Sequence, residues 1–312
     1  MAAFLHYLAL SAPRFGLVIV GLALARLPFW KPHWTRRGSK LVFAVPLPVL
    51  MFHMMSHRST APVDARLLLA FFGGCFIVFG IGRAVGRLGF GLDGVSQSVF
   101  ALGGVFSNNV LLGLPLARLT LGPQALPSVA LVLVFNALTL WTLVTVSIEW
   151  ARHGSLSLSG LGKTALGVLK NPLIIGILSG TAFALTGLSL PQGVDAALDV
   201  VGHAAGPLAL LVLGMGISEY GIADGLGVSA AICLLKLIVQ PLVVWGLAVV
   251  IGLPLIERQA VVLLASMSVG ANVYLVSTQF NVLEGPVASS LVLSTLLAAL
   301  TTPVMLASIS GG

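Results

Sequence analysis

Apolar residues run along this chain in blocks of roughly 17 to 25, the length an α-helix needs to cross a bilayer, and short stretches rich in Arg, Lys, Pro and Gly separate them. Ten blocks are read: Leu5 to Leu27, Leu41 to Ser56, Leu67 to Leu88, Val95 to Thr120, Leu126 to Ile148, Ala165 to Leu188, Val194 to Ile217, Leu226 to Leu253, Ala260 to Phe280, and Pro286 to Ser308. Each predicts a membrane-spanning helix. The second is short and carries Pro46 and Pro48.

The pattern fails in two places. Inside the fourth block, FSNNVLLGLP from Phe106 to Pro115 puts two adjacent amides, a Gly and a Pro where a lipid-facing helix tolerates none of them together. Asn108 and Asn109 would be unsatisfied in hydrocarbon, and Gly113 and Pro115 interrupt the backbone ladder, so the stretch must face protein or water. The ninth block fails similarly at SVGANVYLVSTQFN, where Gly270 and Asn272 interrupt it. Interrupted segments at corresponding places in two halves of a chain point to a transport site at the repeat interface.

The halves follow from counting. Five blocks precede the basic stretch Arg152 to Lys163 and five follow it, and an odd number gives the second half the opposite orientation, an inverted repeat. The expected organisation is a first five-helix repeat over 1–152, a cytoplasmic connecting loop over 153–164, and a second repeat over 165–312. AVPLPVLMFHMM in block 2 and AAGPLALLVLGM in block 7 add partial internal similarity.

Composition excludes a soluble enzyme. The chain is 312 residues long, 58% hydrophobic and 8% charged, with a mean hydropathy of +1.08, where soluble domains carry about 25% charge. No zinc-protease, P-loop, dinucleotide or serine-hydrolase motif occurs, so no enzymatic activity and no cofactor is expected. The N-terminus lacks the basic start of a signal peptide and reads as a retained first span. Cys75 and Cys233 lie in separate apolar runs and suggest packed thiols, not a disulfide.

The net charge of +7 is dispersed at block ends and does not indicate nucleic acid. Arg26, Lys31, Arg36, Arg37, Lys40, Arg83, Arg87, Arg152, Lys163 and Lys170 gather on one side. Arg14, Arg58, Arg66, Arg118 and Arg258 gather on the other. The positive-inside rule then puts the first side in the cytoplasm and both termini outside, as expected of a multi-pass protein of the cell membrane.

Asn108, Asn109 and Asn272 are the leading substrate-binding candidates, because freed N–H groups and the positive ends of half-helices favour an anion to which amides can donate. Helix-to-helix glue is the competing role. Asn136 and Tyr274 are further candidates for the same cavity, and Gly113, Pro115 and Gly270 shape its backbone. Lys236, deep in an apolar run, could neutralise a carboxylate, change protonation during coupling, or tie its helix to a broken-helix carbonyl. Asp195, Asp199 and His203 share a helix face, which suits helix-start carboxylates better than a proton relay. His53 and His57 are i,i+4 without a third ligand, so no metal is expected.

These residues resemble the auxin efflux carrier family, which includes plant PIN-type auxin exporters and bacterial malate or malonate permease-like proteins. The resemblance runs nearly end to end, through KLVFAVPLPVLMF, SNNVLLGLPL, NPLIIGILSG from Asn171, GPLALLVLGMGIS, LKLIVQPL, GANVYLVSTQFNV and STLLAALTTP. It implies an all-α fold of ten transmembrane helices in two inverted repeats, related to bile acid symporters and sodium/proton antiporters, with broken helices 4 and 9 crossing. It further implies a scaffold of spans 1, 2, 6 and 7, a mobile unit of spans 3 to 5 and 8 to 10, and a homodimer. The family's span 4 Asn falls on Asn108, its following Pro on Pro115, and the bacterial span 9 Asn on Asn272. Ser107 and Ser268 stand where many members have Pro. The function implied is secondary transport, by elevator-like motion, of a small organic carboxylate. A cation-coupled importer of the same fold and a non-transporting receptor are the alternatives, and the carboxylate, direction and coupling ion stay open.

Overall fold

The structure is a computed structural model that describes residues 13, 16–28, 30–56, 64–153, 170, 172–218 and 225–310. Arg14, His57, Arg58, Lys163, Asn171 and residues 154–164 of the expected connecting loop lie outside the described residues. Among the described residues the chain is helical throughout, and no strand forms beyond one isolated pair.

Among the described residues five helical stretches are long and apolar enough to cross a membrane: Leu67–Phe90, Pro123–Arg152, Gln192–Gly216, Leu226–Val250 and Glu284–Ile309. The expected first and sixth spans lie partly outside the described residues, others are divided, and proline explains the first division. The block Leu41 to Ser56 is not one helix. Its first residues belong to α2 (Pro32–Ala44), which follows a short apolar α1 (Gly16–Ala25). Pro46 offers no N–H and disfavours helical geometry in the residue before it. Val45 accordingly leaves the helix at φ −128° and ψ −71°, and α3 (Pro46–Ser56) starts afresh.

The next helix, α4 (Leu67–Phe90), ends on Gly91 at φ 61°, a left-handed cap that glycine adopts without a Cβ penalty. Asp93 then caps α5 (Gly94–Gly103) by accepting the Val95 and Ser96 N–H groups. Hydrogen bonding, led by Ser96, holds the Asp93 carboxyl below the usual carboxylate range. After the first break come a π-helical turn Asn109–Gly113, α6 (Leu114–Thr120) and the long α7 (Leu126–His153). The second half continues with α8 (Pro172–Leu185), α9 (Gln192–Ile217), α10 (Leu226–Leu234), a second π-helical turn Leu235–Val239, and α11 (Gln240–Val250). It ends with α12 (Leu255–Ala265), α13 (Ala271–Phe280) and α14 (Glu284–Ser310). The ninth expected span, Ala260 to Phe280, therefore starts earlier, at Leu255, and is divided.

Packing sorts the helices into two groups. In one, α3 lies between α8 and α9, and α2 packs on α9. Glycine makes these seams close: a Cβ at Gly176 or Gly180 would lie 2.5 Å from the carbonyl oxygen of Pro48 or Phe52, and one at Gly21 or Gly214 would overlap the carbonyl of Leu211 or Val18. Small residues allow such backbone approach, and close packing is what holds helices together in lipid. In the other group α4 packs on α5 and α11, α5 on α7, α10 on α14, and α12 on α11, α7 and α4. The groups meet where α9 lies against residues 109–120, and more lightly where α7 meets α3 and α8.

Candidate functional site

Two helices stop in mid-structure and their loose ends pair. Between α5 and the first π-helical turn, and between α12 and α13, the chain is extended, and Ser107 pairs antiparallel with Val269. Asn108 N–H donates to the Ser268 carbonyl at 2.8 Å, and Gly270 N–H donates to the Phe106 carbonyl at 2.8 Å. Gly270 eases the close approach here: a Cβ would lie 3.1 Å from both the Phe106 ring and the Ser107 carbonyl oxygen.

Every stopped helix leaves carbonyls without partners, and in a membrane they must be met from within the protein. The helix that runs from Leu226 to Val250 supplies two side chains for this. Lys236, fully buried, donates to the Ala265 carbonyl at 2.6 Å, and Gln240, one turn later, donates to the Val105 carbonyl at 2.9 Å. One helix thus closes the open ends of both α12 and α5. The last helix contributes one more donor, Thr302 to the Ser266 carbonyl at 3.1 Å, and one acceptor, the Ser294 hydroxyl, which takes the Val269 N–H at 3.0 Å. Of the three roles open to Lys236 in the sequence, its contact is to a broken-helix carbonyl.

Both π-helical turns precede a proline by one residue. Pro115 and Pro241 have no N–H for the carbonyl four residues back and their rings crowd it, so the ladder widens. Leu114 N–H accordingly bonds Asn109, and Gln240 N–H bonds Leu235, each five residues back. Pro115 then faces α9, where Gly206 leaves room for it.

The half-helices that begin at Asn109 and Ala271 start beside the crossing, with the partial positive charge of their first N–H groups directed to it. Asn108 is 8% exposed, and Asn272 is half-buried at the second position of α13. The Asn109 amide is buried with neither its oxygen nor its nitrogen hydrogen-bonded, and its oxygen would lie 3.3 Å from a Cβ at Gly113, beside Leu264 and Met267. Ser107 and Ser268 carry buried hydroxyls without partners too. Other buried hydroxyls nearby donate back along their own helix, as Ser266, Ser290 and Thr295 do; in an extended break no such carbonyl is within reach. The cluster is polar, unsatisfied and neutral apart from Lys236.

The other sequence candidates take no part in the pairing of the two breaks. Asn136 is buried in the middle of α7 with its carbonyl oxygen unpartnered. Tyr274 sits half-buried one turn into α13. Asp195 pairs with His53 of α3 at 2.9 Å, and Asp199 with His203 at 3.1 Å. Among the described residues no cluster of His, Cys, Asp or Glu could hold a metal ion.

In the sequence Gln240, one turn after Lys236 on the same face, marks a second point of polar burial in this helix, and the structure supplies its partner, Val105. Ser294 and Thr302 gave no such signal, because hydroxyls in membrane helices commonly bond their own turn.

A family model described as "Membrane transport protein" matches residues 11–306. A protein of Rhizobium meliloti (strain 1021) named "Putative malonate transporter" is 26% identical over 313 residues, which cover 97% of this chain and 96% of that protein.

Proposed function

The chain belongs to the membrane transport protein family, and from that premise we propose that it is a secondary transporter of a small organic carboxylate. The observation that carries the reading is the crossing, where two half-helix starts and unpartnered Asn and Ser groups meet at a buried point beside α9. Amides and N–H groups donate to a carboxylate without a formal positive charge in contact, which favours release as well as binding. Asn108 and Asn272 bind the substrate, Asn109, Asn136 and Tyr274 line its path, and Gly113, Pro115 and Gly270 set the backbone. Because the Rhizobium relative is named for malonate, malonate heads the panel to be tested.

Transport follows from sliding one group of helices against the other. The glycine-seamed group of α1, α2, α3, α8 and α9 is the fixed scaffold, and the helices around the crossing move past it as a body, an elevator-type exchange of access between the two faces. The bias of basic residues orients the protein in the cell membrane with both termini outside.

Purified protein in liposomes loaded with malonate tests the reading. The parent chain is expected to take up labelled malonate by counterflow. Asn108→Ala and Asn272→Ala are each expected to weaken half-saturation by at least ~10-fold, the equivalent of ~1.4 kcal/mol of binding. Full flux in the double variant would overturn the site, and absence of counterflow across a panel of dicarboxylates and monocarboxylates would overturn the substrate class.

A further inference from the structure

Much of the basic stretch between the first two apolar blocks is folded as α2. Its sequence, PHWTRRGSKLVFA, is too charged for hydrocarbon, and the break at Val45 parts it from α3. At about 3.6 residues per turn, three stripes run along it. Thr35 and Val42 are buried, and between them Gly38 faces Val212 of α9. Trp34, Leu41 and Val45 form an apolar stripe, 41%, 62% and 48% exposed. His33, Arg37 and Lys40 form the third, and all three are exposed. The apolar stripe lies between the other two, about 90° round the helix from the basic one. Trp34 is held there by two edge-on ring contacts, to Trp30 at 5.4 Å and to His33 at 5.8 Å, and Trp30 is fixed in turn by donating its indole N–H to Thr35 at 3.0 Å.

The cations of this helix lack a counter-charge of their own. No Asp or Glu precedes Asp64 in the chain, and among the described residues no carboxylate pairs with Lys31, Arg37 or Lys40. A helix with an apolar stripe beside a basic one sinks the first into the acyl boundary and sets the second among headgroups, a level that tryptophan also favours. A second copy of the chain would bring the same cations against these, and like charges repel. A lipid with an anionic headgroup satisfies both stripes at once, the phosphate meeting the cations and the acyl chains meeting the apolar side chains.

We propose that α2 is a docking surface for anionic phospholipid, with Arg37 and Lys40 on the headgroup phosphate and Trp34 and Leu41 against the acyl chains. Because α2 packs on α9, lipid bound in this way fixes the depth of that helix group in the bilayer. Anionic lipid is concentrated in the cytoplasmic leaflet, the side that the orientation proposed above gives to α2. Only the choice of leaflet rests on that orientation.

Lipids brominated on their acyl chains test the docking, because bromine quenches tryptophan fluorescence only at close range. The full chain is reconstituted in phosphatidylcholine liposomes that carry equal small fractions of brominated phosphatidylglycerol or brominated phosphatidylcholine in both leaflets, which makes the result independent of orientation. The Trp34 signal is the parent's minus that of Trp34→Phe. Phosphatidylglycerol is expected to quench it at least ~5-fold more effectively than phosphatidylcholine, as one basic residue near an anionic surface requires. The preference should vanish at ~0.5 M salt, where the screening length is ~4 Å, and this arm needs no further variant. It should vanish equally in Arg37→Gln/Lys40→Gln, whose thermal melt checks folding, and persist in Arg87→Gln/Arg152→Gln, which removes two exposed arginines from α4 and α7. Equal quenching by the two lipids, or a preference that survives Arg37→Gln/Lys40→Gln, would overturn the proposal. So would a Trp34 that neither lipid quenches, which would mean that protein covers the stripe, or a preference abolished by inorganic phosphate at unchanged ionic strength, which would give the cations to a free anion.

Discussion

At the scale of single residues, the crossing is a problem of unmet carbonyls solved by borrowed donors. Lys236→Met removes the donor to Ala265 and leaves a buried carbonyl unsatisfied, at a cost of about 1–3 kcal/mol. The variant is expected to melt several degrees lower in detergent than the parent and to lose most malonate flux. Lys236→Gln, able to donate, should recover part of the stability, and equal melts for Met and Gln would separate the lysine from the carbonyl. The amides of the site were legible because an Asn side chain is costly in hydrocarbon, so that a pair of them in a lipid-length apolar run must face protein or water. The donors were less so. Lys236 stood out by its charge, but nothing in the sequence specified that its partner would be Ala265, on a helix whose end was itself unseen.

At the scale of helices, proline announced most of the interruptions and said little about their form. Pro46, Pro115 and Pro241 each mark a place where the ladder cannot continue, yet one yields a new helix and two yield widened turns. The N-cap of α5 offers a cleaner local test, since Asp93 stands between α4 and α5 and accepts two N–H groups. Asp93→Ala is expected to lower stability by ~1 kcal/mol at neutral pH. Because hydrogen bonding lowers the folded-state pKa of Asp93, its stabilisation is complete above the ordinary aspartate value of about 3.9 and is lost as pH falls through the lower folded value. The difference between parent and Asp93→Ala melts should therefore shrink at the acid end of a pH series and nowhere else. A gap that widened on acidification would contradict the cap.

For the whole molecule, the order of apolar blocks anticipated helices throughout and two interrupted segments, while the grouping of helices rests on contacts between residues far apart in the chain. Gly176 against Pro48 and Gly214 against Val18 are such contacts, and no local pattern reveals which glycine meets which carbonyl. If those seams carry the scaffold, the two halves need each other but not the covalent link. Residues 1–152 and 165–312, expressed together as separate chains, are expected to co-purify and restore malonate counterflow. The first fragment alone should be cleared by proteolysis. Stable accumulation of residues 1–152 on their own would show that the seams are dispensable.

The same seams set an order of events at the ribosome. α1 and α3 are made first, but the surfaces that fit Gly21, Val18, Pro48 and Phe52 belong to α8 and α9, which emerge only after the second half has begun. At an elongation rate of 5–20 residues per second the wait from residue 21 to residue 211 is roughly 10–40 s. During it these helices lie in the bilayer with the faces that will meet α8 and α9 turned to lipid, and the scaffold is finished only once Ile217 has been made.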